Sequence, residues 1–205
     1  IVGENPLKWD GNGEEGQVVI TGEMGDLYAG NNTAKNIITY DIPESIPKDD
    51  IRIQVTIDGL PKLGDNYNSA GLLLYKDKDN YVRLATKGHQ SNIASDNEVA
   101  SNDVESTFGQ KLTARKATFE IEKLNGQIKV RYKDADGNGQ WSQQHTLGEN
   151  TGLGDDYKIA FAAWTKDVVP MIATFSNLKV GVASQVTTEE LEAKNGVAIF
   201  KEMPN

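Results

Sequence analysis

Alternating apolar and polar residues are the feature that most constrains the fold of this chain. Ile51, Ile53, Val55 and Ile57 share one parity, and polar residues occupy the positions between them. A period of two is the pattern of a β-strand with one buried face. The sequence therefore predicts an all-β fold between about residues 15 and 180. The same pattern, or a strand-like apolar run, recurs at 116–122, 127–132, 156–164 and 171–180.

Turn signals separate these strand-like runs. Residues 76–80 and the Asn125-Gly126 pair each lie between two runs, as expected for antiparallel hairpins. Residues 72–74 are three consecutive leucines, which is typical of a strand covered on both faces. Many short strands with regularly spaced turns favour two antiparallel sheets packed as a sandwich.

The C-terminal tail has a different pattern. Thr187 and Glu190 have the spacing of a capping box, and Asn195-Gly196 is a matching stop signal. This predicts a short helix near residues 188–194. We therefore expect a β-sandwich over residues 1–183 and an appendage or linker over residues 184–205. Because the sequence begins with Ile rather than Met, we expect a processed protein or a piece of a longer one.

Composition and charge disfavour several classes of partner. The 205 residues carry a net charge of −9, which opposes binding to the phosphate backbone of nucleic acids. No segment approaches the roughly 18 consecutive apolar residues of a membrane-spanning helix, so we expect no membrane insertion. Since the chain has no cysteine, it has no disulfide and no thiolate metal site.

One hairpin carries a resemblance to a known family. Residues 70–84 read AGLLLYKDKDNYVRL, which resembles the hairpin of concanavalin A-like accessory domains. Such domains occur at the C-terminus of family 43 β-xylosidases and within large secreted bacterial glycosidases. Residues 175–180 resemble their closing strand, and residues 25–28 with 35–38 resemble their opening pair. The resemblance implies a jelly-roll sandwich attached to a catalytic domain, outside a bacterial cell or on its surface.

Two groups of acidic residues are candidates for a catalytic site or a metal site. Glu120 and Glu122 share one face of a strand, but the third acid of related glucanases is missing, so an exposed charged face is favoured. Residues 134–139 match the first half of a calcium loop, yet His145 occupies the position of the closing Glu. We interpret that segment as an acidic turn. No cofactor is assigned, and a structural Ca²⁺ elsewhere stays open, as the jelly-roll resemblance allows.

Aromatic residues supply the candidate binding site. In the run at 156–164, Trp164 lies on the same strand face as Ala160 and Ala162. Ile159 and Phe161 lie on the opposite face, which is expected to point to the core. Small residues beside a large aromatic ring leave room for a sugar ring, and neighbouring polar groups can bind its hydroxyls. The candidate ligand-binding residues are therefore Trp164, Tyr81, Arg83 and His89.

The favoured function is a non-catalytic carbohydrate-binding module of a secreted bacterial glycosidase. Its partners would be a poly- or oligosaccharide and the neighbouring domains of the same chain. One alternative is a structural spacer domain of a cell-surface protein that binds no sugar. A second alternative is a glycoside hydrolase of the same fold, which the incomplete acid pattern disfavours.

Overall fold

The structure is a computed structural model that describes residues 9–10, 16–28, 31–61, 67–87, 92–108, 112, 115–134, 139–166 and 170–196. Within this part of the chain the fold is nearly all-β, with one short helix, α1 (Thr188–Glu192). No helix in the described part is long and apolar enough to cross a membrane. The strands are β1 (Trp9–Asp10), β2 (Val18–Met24), β3 (Ile38–Tyr40), β4 (Asp50–Asp58), β5 (Ser69–Asp77), β6 (Asn80–Lys87), β7 (Asn92–Val99), β8 (Asn102–Phe108), β9 (Lys116–Leu124), β10 (Gln127–Asp134), β11 (His145–Glu149), β12 (Lys158–Thr165) and β13 (Met171–Gly181).

The strands form one hydrogen-bonded path, in the order β11-β10-β9-β4-β13-β2-β12-β5-β6-β7-β8. Neighbours on this path are antiparallel except β2 and β12, whose short parallel contact joins two antiparallel groups. Strand β1 pairs with β2, and β3 pairs with β12. The path bends until it nearly closes into a barrel. Near its two ends, the side-chain amide of Asn97 in β7 donates to the backbone oxygens of Leu147 and Glu149 in β11.

A single main core fills the space between the two groups. Residues Ile51, Ile53, Val55 and Ile57 of β4 are all fully buried there, which confirms the parity read from the sequence. Strands β4 and β9 contact β5 and β6 across this core. Burying one such side chain stabilises the folded chain by roughly 1.5–3 kcal/mol, so the alternation itself selects this fold.

The hairpins and the tail follow the sequence signals closely. Asn125 and Gly126 adopt φ values of 51° and 76°, as the two-residue turn between β9 and β10 requires. Thr187 and Glu190 form the predicted capping box at the start of α1. The helix ends at Glu192, with Ala193 as its C-cap, before the predicted stop at residue 195.

Helix α1 contacts β13 and β4 rather than extending from the fold. The carboxylate of Glu192 accepts hydrogen bonds from the Trp141 indole, at 3.1 Å, and from the Lys133 ammonium. The Lys179 ammonium donates to the Glu192 carbonyl. The domain boundary expected at residue 183 stays a prediction. Residues just beyond it, in helix α1, pack on the sheet.

Candidate functional site

Strands β12, β5 and β6 have a second face, which points away from the main core and is called the outer face below. On it Leu73 pairs with Ala160 on one side and with Arg83 on the other. Directly paired residues of antiparallel strands lie on the same face. The neighbouring pair is Gly71 and Ala162, so the small residues at 71, 160 and 162 lie beside the larger Leu73 and Arg83 on this face.

The outer face brings together three of the four candidate ligand residues. The guanidinium carbon of Arg83 lies 5.1 Å from the centroid of the Trp164 ring. Tyr81 belongs to the same side-chain cluster as Trp164 and stacks on Tyr75, with ring centroids 6.5 Å apart. Burial raises the pKa of the Tyr75 hydroxyl to about 12. The fourth candidate, His89, lies outside the described residues.

The expected open groove is not present, because these side chains are buried. Trp164 is 2% exposed, Tyr81 is 0% exposed and Arg83 is 6% exposed. A covering segment, residues 25–28 and 31–37, fills the space above the small residues of the outer face. Its side chains that pack with Trp164 and Tyr81 in one cluster are Leu27, Ala34 and Ile37.

Polar contacts fix the covering segment in place. The Arg83 guanidinium donates to the Leu27 carbonyl. The Asn32 amide donates to Glu98 Oε1 at 3.0 Å, while the Tyr81 hydroxyl donates to Glu98 Oε2 at 2.6 Å. Hydrogen bonds to charged groups contribute roughly 1.5–3 kcal/mol each, so the segment is held firmly. Direct contact between a glycan and the three buried candidates stays a prediction that requires this segment to move.

One end of the outer face remains uncovered. Ser69 is the first residue of β5 and pairs with Trp164. Tyr67 lies two residues before Ser69, and 48% of its surface is exposed. Lys166 lies two residues after Trp164, and its ammonium is 5.2 Å from the centroid of the Tyr67 ring. The same ammonium is 2.5 Å from Asp26 Oδ2. We call Tyr67, Lys166 and Asp26 the exposed end.

Sequence reasoning missed the exposed end. The signal was present, since Tyr67 has the parity of Ser69 and Lys166 has the parity of Trp164. Using it required the register of β5 against β12, which places Ser69 opposite Trp164. The sequence alone does not supply this register, because the two strands are far apart along the chain.

The carboxylates of Glu120 and Glu122 are buried beneath helix α1, with side chains only 1% and 6% exposed. The Arg52 guanidinium donates to both, at 2.8 Å for Glu120 Oε1. Gln54 and the Thr188 hydroxyl donate to Glu120 at 2.7 Å and 3.0 Å. The prediction of an exposed charged face is therefore wrong, because the helix and Arg52 cover these acids. The pair is neutralised rather than open to a substrate.

The acidic turn is only partly described, since residues 135–138 lie outside the described residues. Among the residues with described placement, no group of three or more His, Asp or Glu side chains could hold a metal ion. The structural Ca²⁺ left open by the sequence therefore has no assigned position in the described part of the chain.

The fold is similar to that of several solved structures. A functionally unknown protein from Saccharomyces cerevisiae matches with a TM-score of 0.59 and 13% identity, over 85% of this chain and 95% of that chain. The GH43 BlXynB protein from Bacillus licheniformis matches with a TM-score of 0.67 and 14% identity, over 87% of this chain and 35% of that one. Xylan β-1,4-xylosidase from Bacillus halodurans C-125 matches with a TM-score of 0.63 and 14% identity, over 84% of this chain and 34% of that one.

These matches confirm the resemblance to the accessory domain of family 43 β-xylosidases at the level of the fold. The chain spans about a third of the two glycosidase chains, at 35% and 34% of their lengths. It spans 95% of the yeast chain, so the same fold makes up nearly all of that solved chain. No family model matches the sequence, and the search of curated proteins found no match.

Proposed function

We propose that this chain is a non-catalytic carbohydrate-binding module that accompanies a secreted bacterial glycosidase. The observation that carries the proposal is the outer face, where aromatic and polar side chains lie together in a fold shared with part of GH43 chains. A sugar site needs both an apolar ring and a few polar groups placed around it. The net charge of −9 fits a partner other than nucleic acid.

The proposal includes a two-sheet jelly roll as the finer description of the fold. Its support is the division of the strands into two antiparallel groups that pack across one core. The parallel contact between β2 and β12 is limited to two residue pairs, so the strand pairing that joins the two groups in the described residues is short.

The absence of catalysis is part of the same proposal. Glycoside hydrolysis uses a general acid and a second carboxylate that both face the substrate. Glu120 and Glu122, the acid pair singled out in the sequence, instead face Arg52 under helix α1. We expect no reducing sugar to be released from xylan, β-glucan or mucin glycans. Release that disappears in Glu122→Gln would establish the hydrolase alternative.

One observation favours the spacer alternative. The covering segment seals most of the outer face through the Leu27 and Asn32 contacts to Arg83 and Glu98. A sealed face suits a domain that packs on its neighbour and binds no sugar. The spacer and the binding module therefore differ in one measurable property, which is affinity for a glycan.

A glycan-array screen followed by calorimetric titration of the hits separates these two functions. The binding module should give at least one saturable hit with a dissociation constant in the range from about 1 μM to 1 mM. The Lys116→Met variant, which changes a half-exposed residue of β9 in the other strand group, serves as a control that leaves the outer face unchanged. If the folded protein binds no glycan on the array, the proposed function is wrong and the spacer alternative stands.

A further inference from the structure

We propose that the sugar-contacting site is the exposed end, Tyr67 with Lys166 and Asp26, and that its ligand is a neutral sugar unit of a glycan. The inference rests on the proposed function and assigns it to residues that the sequence did not single out. In this site the face of the Tyr67 ring opposite the Lys166 ammonium stacks on the C–H face of the sugar, and Lys166 holds the ring from its other face. Asp26 is a positioning residue for Lys166.

The first argument is accessibility. Tyr67 is 48% exposed, whereas Trp164, on the adjoining pair of the same face, is 2% exposed. The Lys166 side chain is 42% exposed, so its ammonium also reaches solvent. The ring and the cation can therefore meet a ligand without displacing the covering segment.

The second argument is preorganisation. Lys166 is held by Asp26, whose side chain is only 9% exposed and whose carbonyl accepts hydrogen bonds from the backbone of Thr33 and Ala34. The Lys166 ammonium lies over one face of the Tyr67 ring, which restricts the ring before a ligand arrives. A group already fixed in its bound orientation loses little entropy on binding.

The third argument is the backbone of Tyr67, whose φ of 52° lies in the left-handed region. Bulky side chains adopt this region rarely, since it costs free energy that glycine does not lose. Its half-exposed ring lies at the surface beside the Lys166 ammonium, so the residue presents an aromatic face next to a cation. Strained backbone of this kind occurs preferentially at binding sites, where the side chain is needed for contact.

The charges of the exposed end favour a neutral ligand. The ammonium of Lys166 is matched by the carboxylate of Asp26 at 2.5 Å, so the pair offers no excess positive charge to a uronic acid. The chain as a whole carries a net charge of −9, which repels polyanionic glycans. Ile172 is 59% exposed on β13, in the other strand group, and supplies a control residue away from the exposed end.

The test uses Tyr67→Gly, Tyr67→Phe and Ile172→Ala, titrated with a neutral xylo-oligosaccharide, a mixed-linkage β-glucan oligosaccharide and polygalacturonate. Tyr67→Gly should weaken binding of the neutral ligand by roughly tenfold or more, which corresponds to about 1.4 kcal/mol. Its melting temperature should stay close to that of the wild type, because glycine tolerates the backbone conformation and offsets the lost contact of the ring with Lys166. Tyr67→Phe keeps the ring, and Ile172→Ala alters an exposed apolar residue elsewhere, so both should bind within about threefold of the wild type.

The outcomes separate this site from the proposed function. If the wild type binds a neutral ligand and Tyr67→Gly binds it equally well, the site is wrong while the proposed function stands. If the wild type binds only polygalacturonate, the neutral ligand class is wrong. If it binds no glycan at all, both inferences fail. Loss of self-association in Tyr67→Gly during sedimentation, without any glycan effect, would assign the exposed end to a protein contact and overturn the proposal.

Discussion

Replacing Arg52 with Met tests whether the buried ion cluster fixes helix α1 to the sheet. The Arg52 guanidinium donates to the carboxylates of Glu120 and Glu122, to the Thr188 hydroxyl and to the Val186 carbonyl. Methionine has a similar length but provides none of these hydrogen bonds. The variant therefore leaves two nearly fully buried carboxylates with only Arg131, at 2.8 Å from Glu120 Oε1, and Lys129, at 3.6 Å from Glu122 Oε1, as counter-charges.

The expected loss is large because the acids cannot be rehydrated in place. Breaking a buried ion pair by removing one partner costs roughly 3–5 kcal/mol of unfolding free energy, and the remaining pairs with Arg131 and Lys129 place the expected loss near the lower end of that range. Lys116→Met is the matched control, since Lys116 and Asp58 form a pair at 3.6 Å with side chains 51% and 56% exposed. An exposed pair of this kind is worth at most about 1 kcal/mol.

Urea unfolding monitored by tryptophan fluorescence measures both changes. A double variant, Arg52→Met with Glu122→Met, should recover part of the loss because one uncompensated charge is removed. A loss for Arg52→Met that is no larger than the loss for Lys116→Met would refute the argument. It would mean that the acids gain water when the guanidinium is removed and that α1 is only loosely attached.

Three further predictions follow from burial and ionisation. Trp164→Ala should cost roughly 3–5 kcal/mol in urea unfolding, because the ring is 2% exposed; a loss below 1 kcal/mol would contradict that burial. Burial raises the pKa of the Glu192 carboxyl, but hydrogen bonds from Lys133 and Trp141 outweigh it, so the pKa lies below the ordinary value of 4.5. The ionised Glu192 carboxylate therefore stabilises the fold above pH 4.5, and this stabilisation is lost as the pH falls and the carboxyl is protonated. Glu192→Gln should lower the unfolding free energy by about 0.5–1 kcal/mol at pH 7 and leave it unchanged near pH 2, as measured by denaturant melts at both pH values. Burial raises the pKa of Tyr75 to about 12, so the wild type should lose stability as pH rises from about 10 toward 12, and thermal melts of Tyr75→Phe should show a shallower loss.

Period-two patterns predicted much of the fold because the positions of the apolar residues within each strand identify the face that is buried. Residues 51, 53, 55 and 57 face the core as expected, and the three leucines at 72–74 are covered on both faces, with Leu73 in the outer cluster. Local signals were equally informative at the Asn125-Gly126 turn and at the capping box of α1. These features depend on residues that are close together in sequence.

Features that depend on distant segments were not predicted. The parity of Trp164 was correct, but its exposure depended on Leu27 and Ile37, more than a hundred positions earlier in the sequence. In the same way, Glu120 and Glu122 have the spacing of an exposed strand face, and only the return of residues 186–192 over β4 and β9 buries them. Alternation tells which side chains share a face but not what covers that face.

The two covered faces have different consequences for function. On the β4–β9 side the covering element neutralises charges, since Arg52 and Thr188 satisfy the acids and leave no group directed at a ligand. On the β12–β5 side the covering segment stops short, and the Tyr67 ring with the Lys166 ammonium remains in solvent. An aromatic ring that is exposed, held in position and placed beside a hydrogen-bond donor is suited to bind a small polar ring. The part of the outer face that the covering segment leaves free is therefore where glycan binding should be sought.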